Sequence, residues 1–291
     1  PAEEFGKYTL VYDWNLPGNN DIHPHFPTVN RAAAVQKGGF RRVAYFMELE
    51  KTDGTYQYAW ASMDAFTDDA RKLEIPYQGC DWLFQQKVDN LLVYGNVAGL
   101  RTGTVIPQGV VEIWDRSYST GAKLGGLGSD GSAPWKTNRY DWDDVPAAGQ
   151  SYWGSLQVHD YVGQTTVLSY TGFTKNGEVA GLGIGNNPNW TTGQSPDWTQ
   201  TKNAEWYTTR RLQVYVELTE PLATTELPPV IAEKVGDKAD GYELVYAFDM
   251  TGARDRLTTV PYAVDNSAGY GKSFDRVGYF FRLVDKNGAA Q

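Results

Sequence analysis

The chain begins the same way twice. "YTLVYDWNL" starts at Tyr8 and "YELVYAFDM" starts at Tyr242. Shifted by 234 positions, Tyr8–Gln57 lies over Tyr242–Gln291 without a gap, and 16 of the 50 positions are identical. The identities include Leu10/Leu244, Val11/Val245, Tyr12/Tyr246, Gly18/Gly252, Asp21/Asp255, Pro27/Pro261, Phe40/Phe274 and Leu49/Leu283. They are densest where "FRRVAYFMEL" meets "FDRVGYFFRL". A shared bias toward strand-forming residues would not keep turn residues and alternating apolar positions in register. A structural unit therefore starts near Tyr8 and starts again near Gly241, and about a quarter of the second copy follows.

Strand signals fill the first unit. "YTLVYDW", "RRVAYFMEL", "YQYAWASM", "LLVYGNV", "VVEIWD", "SLQVHDY", "TTVLSYTGF", "EVAGLGIG" and "RRLQVYVEL" alternate apolar and polar residues and are rich in β-branched and aromatic side chains. Turn formers such as "LPGNND", "KTDGT" and "KNGE" separate them. Two short helices are expected, around "MDAFTDDARKL" and "CDWLFQQKVDNL". The pattern predicts an all-β protein, an antiparallel β-sandwich of jelly-roll type, followed by the start of a second copy. The module spans 1–220. Residues 221–240, the bulk of "TEPLATTELPPVIAEKVGDKAD", carry prolines, threonines and charges without an apolar period, as an interdomain linker does. Residues 241–291 supply the first strands of an incomplete second copy, whose apolar faces and strand edges need a partner.

Composition narrows the function classes. A net charge of −9 is the wrong sign for nucleic acid, where Lys and Arg must neutralise phosphates. No run of about 18 apolar residues is present to span a membrane. The first residues, "PAEEFGKY", lack the basic and apolar segments of a signal peptide, which fits a mature N-terminus and a trimmed chain equally. Cys80 has no second cysteine to pair with, so stability comes from packing or bound ions. Ten tryptophans, 19 tyrosines and 31 glycines give the composition of a turn-rich β protein of the secreted or cell-surface kind.

The aromatic residues carry the strongest functional signal. Trp135, Trp142, Trp153, Trp190 and Trp198 fall in or beside loops rich in Gly, Pro and Asn. Sugar rings stack their C–H faces on such side chains, while Asn, Asp and Gln bond the hydroxyls. These five residues are the candidate carbohydrate-binding set; packing of the same rings onto the sandwich is the competing reading. Calcium is a second possibility, with hard oxygen ligands at Asp21, Asp143, Asp144, Asn187 and Asp197, although no loop has the spacing of an EF-hand and such residues also populate ordinary turns. "HPHF" sets His23 and His25 two apart, yet the second copy has Leu257 and Thr259 there, which argues against a metal essential to the module. A serine esterase needs G-x-S-x-G, and the nearest text, "GLGSDGS", lacks that spacing. His159 and Asp160 are strand neighbours and point to opposite faces, so the carboxylate is badly placed to orient the imidazole.

Residues 8–218 resemble a module found in large secreted proteins of planctomycetes and verrucomicrobia, some of them described as sialate O-acetylesterases. The similarity rests on "FRRVAYFMELE", "YAWASMDAFT", "FQQKVDNLLVYGNVAGLRTGTVIPQGVVEIWDRSY", "YWGSLQVHDY", "GLGIGNNPNWTTGQSPDWT" and "YTTRRLQVYVEL", which are framework motifs. The resemblance implies an extracellular, non-catalytic module used in tandem, and supplies no ligand residues. With the aromatic loops, the expectation is a carbohydrate-binding module whose partner is a polysaccharide or glycan. The alternative is a structural surface-layer or fibre protein in which copies of the chain join through residues 241–291. A carbohydrate-active esterase stands third, with no catalytic residues and no cofactor to assign.

Overall fold

A computed structural model describes residues 6–16, 27–75, 84–114, 118–119, 145–146, 154–172, 180–188, 198, 201–219, 242–248, 262–265 and 275–285. The chain opens with β1 (Tyr8–Asn15), β2 (Val29–Asn30), the helix α1 (Ala32–Gly38), β3 (Phe40–Lys51) and β4 (Tyr56–Asp64). A 3-10 turn at Ala70–Leu73 leads to β5 (Phe84–Gly95) and β6 (Val105–Trp114), then the short pair β7 (Tyr118–Ser119) and β8 (Val145–Pro146). After them come β9 (Ser155–Asp160), β10 (Thr165–Thr171), β11 (Gly181–Ile184), a second 3-10 turn at Ala204–Trp206, and β12 (Tyr207–Leu218). Each strand read from the sequence of the first unit overlaps one of these.

Ten of the strands form one antiparallel sheet in the order β11-β10-β9-β6-β5-β4-β3-β12-β1-β2. The sheet curls until β10 and β11 face β4 across a single core, giving an all-β, sandwich-like fold. Most sheet neighbours are also sequence neighbours; β6 and β9 meet with β7 and β8 between them in the chain, and β12 returns to lie between β1 and β3. The connectivity is thus a curled meander, more local than the crossings of a jelly roll.

Period-two alternation makes the core. In β3, Val43, Tyr45, Met47 and Leu49 are fully buried, and they meet Val216, Val214 and Leu212 of β12 in register. Tyr12 and Trp14 of β1 stack 5.1 Å apart on the same side. The 3-10 turn plugs one end of this core. Tyr12 Oη donates to the Ala70 carbonyl at 3.2 Å, and Tyr45 Oη donates to that of Leu73 at 3.2 Å. Burial raises both phenols well above the ordinary tyrosine range, so they stay protonated donors.

Two expectations about helices are corrected. "CDWLFQQKVDNL" was expected to be helical, yet Phe84 onward is strand β5, antiparallel to β6 from Phe84/Ile113 to Leu92/Val105. Asn90 sits at φ 53°, and Val88 and Leu91 on either side of it are both buried. That local kink turns two residues three apart toward one core, which is the spacing that imitates a helix. The second correction is α1, in "AAAVQKG", where no helix was expected. It buries Ala32 and Val35 and is tied to the plug by Gln36, whose side chain donates to the Asp68 carbonyl and accepts from Ala70 N–H. "MDAFTDDARKL" contributes only the one turn at Ala70–Leu73, with Asp69 accepting from Arg71 N–H at its start.

The segment aligned with the start of the chain contains a hairpin. β13 (Tyr246–Phe248) pairs with β14 (Tyr262–Asp265), and β14 runs beside α1 and β2. Ala247 pairs with Val264; the same sequence positions in the first copy are Asp13 and Asn30, one step from the observed Asp13/Val29 pair. Residues 275–285 align with β3 but are extended without a ladder, with a single bridge residue at Val284.

Candidate functional site

The alternation that sends Val43, Tyr45 and Met47 inward sends Arg42, Ala44, Phe46 and Glu48 to the other side of the sheet. Beside them stand Tyr58, Trp60 and Ser62 of β4, Arg211, Gln213 and Tyr215 of β12, and Tyr8 and Asp13 of β1. Ala44 decides the packing here. It lies between Ser62 and Tyr215, and over its small side chain the rings of Trp60 and Tyr215 approach to 5.3 Å. Tyr8 meets Trp60 edge-on at 5.0 Å, and the row continues through Phe46, Tyr58 and Tyr56 with centroids 6.3 and 6.0 Å apart. Trp60 is the buried floor. Tyr8, Phe46, Tyr58 and Tyr215 are partly open, and Tyr56 is exposed.

Polar groups fix both ends of this aromatic face. At one end Arg42 donates to Tyr8 Oη (3.1 Å), Asp64 Oδ1 (2.7 Å), Ser62 Oγ (3.2 Å) and the Asn90 carbonyl (3.0 Å). Asn90 Nδ2 donates to the other oxygen of Asp64 at 2.6 Å. At the far end Asp13 accepts a bidentate pair from Arg211 at 2.9 and 2.6 Å, and a third bond from Gln213 at 2.9 Å. Tyr215 Oη donates to Gln213 Oε1 at 2.9 Å. Burial, with Asp13 nearby, raises the Tyr215 phenol, which remains neutral. The result is a rigid row of rings between hydrogen-bonding rims. It can stack against flat apolar faces and bond hydroxyl groups beside them. Sequence reading missed it because its members sit on four strands and look like ordinary strand aromatics.

Most of the residues singled out from the sequence, Trp135, Trp142, Trp153, Trp190, Asp21, Asp143, Asp144 and Asp197, with His23 and His25, lie outside the described residues. Trp198 is described, and it is a core residue, not a platform. It is 6% exposed, its Nε1 donates to the Gly185 carbonyl at 2.9 Å, and its ring packs on Gly183. A ring covered in this way has no face to offer a sugar. Asn187 is likewise buried and donates to Thr201 Oγ1 at 2.9 Å, as a turn brace does. Among the described residues no group of three or more His, Cys, Asp or Glu side chains is arranged to hold a metal ion.

A second polar group lies under cover on β6, β9 and β10. His159 Nδ1 is 3.2 Å from Thr166 Oγ1, and its Nε2 is 3.6 Å from Glu112 Oε2. Beside them Ser169 Oγ donates to Gln157 Oε1 at 3.2 Å. The order hydroxyl, imidazole, carboxylate is that of an acyl-transfer relay. However, Thr166, His159 and Glu112 are all fully buried, so no substrate reaches them. Asp160 points to the other face, where Arg101 holds it with two bonds of 2.5 and 2.6 Å. These groups brace the sheet. The open aromatic face is the candidate site, and no protein-family model, curated protein or solved structure matches the chain.

Proposed function

We propose that the chain is an extracellular, non-catalytic tandem module that binds polysaccharide through the aromatic face of β1, β12, β3 and β4. The observation that carries this reading is the set Tyr8, Tyr215, Phe46 and Tyr58, left partly open over the buried Trp60 between the Arg42/Asp64 and Arg211/Asp13 rims. Partly open aromatic rings can stack on the C–H faces of sugars, and the amide, guanidinium and carboxylate groups beside them can bond sugar hydroxyls. The aromatic-rich and glycine-rich composition of a turn-rich β protein agrees with a secreted or surface location.

Affinity electrophoresis in gels containing soluble polysaccharides, with a glycan array alongside, tests the reading. The double variant Tyr58→Ala, Tyr215→Ala is expected to lose retention on every glycan that slows the parent chain. Full retention of the double variant sinks the proposal. A structural, self-assembling role is the second reading. It is favoured by one specific observation, the run of exposed apolar side chains from Val277 to Val284.

A further inference from the structure

The ion pairs of the aromatic face leave a remainder of one sign. By alternation, the outer side of β1, β12, β3 and β4 carries the carboxylates Asp13, Glu48, Glu50, Asp64 and Glu217 against the guanidiniums Arg42 and Arg211. Arg42 holds Asp64 at 2.7 Å, and Arg211 holds Asp13 at 2.6 Å. Arg41 reaches Glu217 at 2.5 Å. Glu48 and Glu50 are left over, and among the described residues neither enters an ion pair.

Both of these carboxylates stand opposite tyrosines. Glu48 is in register with Tyr58, and Glu50 with Tyr56. The two rings lie 6.0 Å apart, with Tyr58 partly open and Tyr56 45% exposed. Nearby cations are turned elsewhere. Arg211 is the register partner of Glu48 on β12, but its bidentate bonds go to Asp13. Lys51 follows Glu50 and alternates to the other side of β3. Arg210 donates to the carbonyls of Leu16 and Ala204. Neutral donors hold the two carboxylates instead. Thr209 Oγ1 donates to Glu50 Oε2 at 3.1 Å. Partial burial and a bond to Glu48 push the Tyr56 phenol up to about 12, so its hydroxyl stays a donor.

Tyrosine faces beside fixed carboxylates are the chemistry that recognises an ammonium group. The rings attract the cation, and its three donors suit the carboxylate oxygens. We propose that Glu48, Glu50, Tyr56 and Tyr58 form a subsite for a protonated amine, so that the glycan bound along the aromatic face is one with free amino groups. This inference rests on the polysaccharide reading and names its substrate class. Phe46 and Tyr215 remain for the apolar faces of the sugar rings, and the same two carboxylates repel acidic glycans.

Calorimetric titration of the full chain with hexamers of glucosamine and of N-acetylglucosamine, at low salt, tests this. At about pH 6 the free amines are charged and exposed carboxylates are ionised. The glucosamine hexamer is expected to bind about tenfold more tightly than the acetylated one. In Glu48→Gln, Glu50→Gln the ratio is expected to fall to about one. Glu50→Gln alone is expected to lower it part of the way, and serves if melting curves show the double variant unfolded. Equal affinities in the parent chain, preference for the acetylated hexamer, an unchanged ratio in the variants, or no binding of the glucosamine hexamer each overturn the proposal. Hexalysine controls for charge alone, and binding as tight as that of the glucosamine hexamer overturns it in favour of a basic peptide. Two sugars bound equally remove only this inference, whereas hexalysine bound without either sugar removes the polysaccharide reading with it.

Discussion

The indole of Trp198 lies across Gly183 of β11: a Cβ built on that glycine would stand 2.0 Å from Trp198 Cε2. The two residues are a matched pair, one supplying a ring and the other the missing side chain that lets the ring reach the sheet. Trp198→Ala is expected to destabilise the first unit by about 3–5 kcal/mol. Gly183→Ala is expected to lower the melting temperature as well, since the ring must move. Urea unfolding monitored by tryptophan fluorescence checks both. A Trp198→Ala variant as stable as the parent would return this residue to the set of surface platforms.

Floor and surface of the aromatic face are expected to respond differently. Trp60 is buried beneath Tyr8 and Tyr215, so Trp60→Ala is expected to weaken folding by about 3–5 kcal/mol together with any glycan binding. Tyr58→Ala removes a partly open ring and is expected to weaken glycan retention while shifting stability by less than about 1 kcal/mol. Calorimetry run beside affinity electrophoresis separates the two. Equal stability losses in both variants would show that the face is packing alone.

Asp13 accepts three side-chain bonds from two residues of β12 and is buried. Asp13→Ala is expected to cost about 1–3 kcal/mol, because Gln213 and Arg211 lose a charged acceptor. Arg211 is part-exposed and recovers some of that in water, so the lower half of the range is expected. The double-mutant cycle Asp13→Ala with Arg211→Ala should show coupling between them. Strict additivity contradicts a direct pair.

Glu74 closes the 3-10 plug between the buried Leu73 and Ile75, and burial pushes its carboxyl up from 4.5 to about 8. Between those values the folded chain keeps a proton that the unfolded chain releases. Stability from this group is therefore complete below about pH 4.5 and is lost as pH rises through about 8. Glu74→Gln cannot ionise. Its melting temperature is expected to gain on that of the parent as pH increases across this window, with the two nearest each other at the acidic end. Parallel melting curves across the window would mean that the carboxyl is not held in its protonated form.

The strands of the first unit were readable because each carries its own evidence. Alternation in "RRVAYFMEL" marks an inner and an outer face before any partner is known, and the in-register likeness of Tyr8–Gln57 to Tyr242–Gln291 needs only the chain itself. The β5 segment was misread because the kink at Asn90 depends on its fit against β6 and the core, not on local propensity. α1 was missed because a seven-residue helix gains most of its stability from what Ala32 and Val35 pack against.

What only the tertiary structure decided was which residues share a surface. Tyr8, Trp60 and Tyr215 are far apart in sequence and became one face because β12 returns between β1 and β3. The same closure placed Trp198 against Gly183 and made it core, although its sequence neighbourhood is that of a loop. Period-two alternation fixes that a side chain leaves the inner face of its strand. Whether it then meets solvent or another ring depends on contacts made across the sheet and on the residues that come to lie over it.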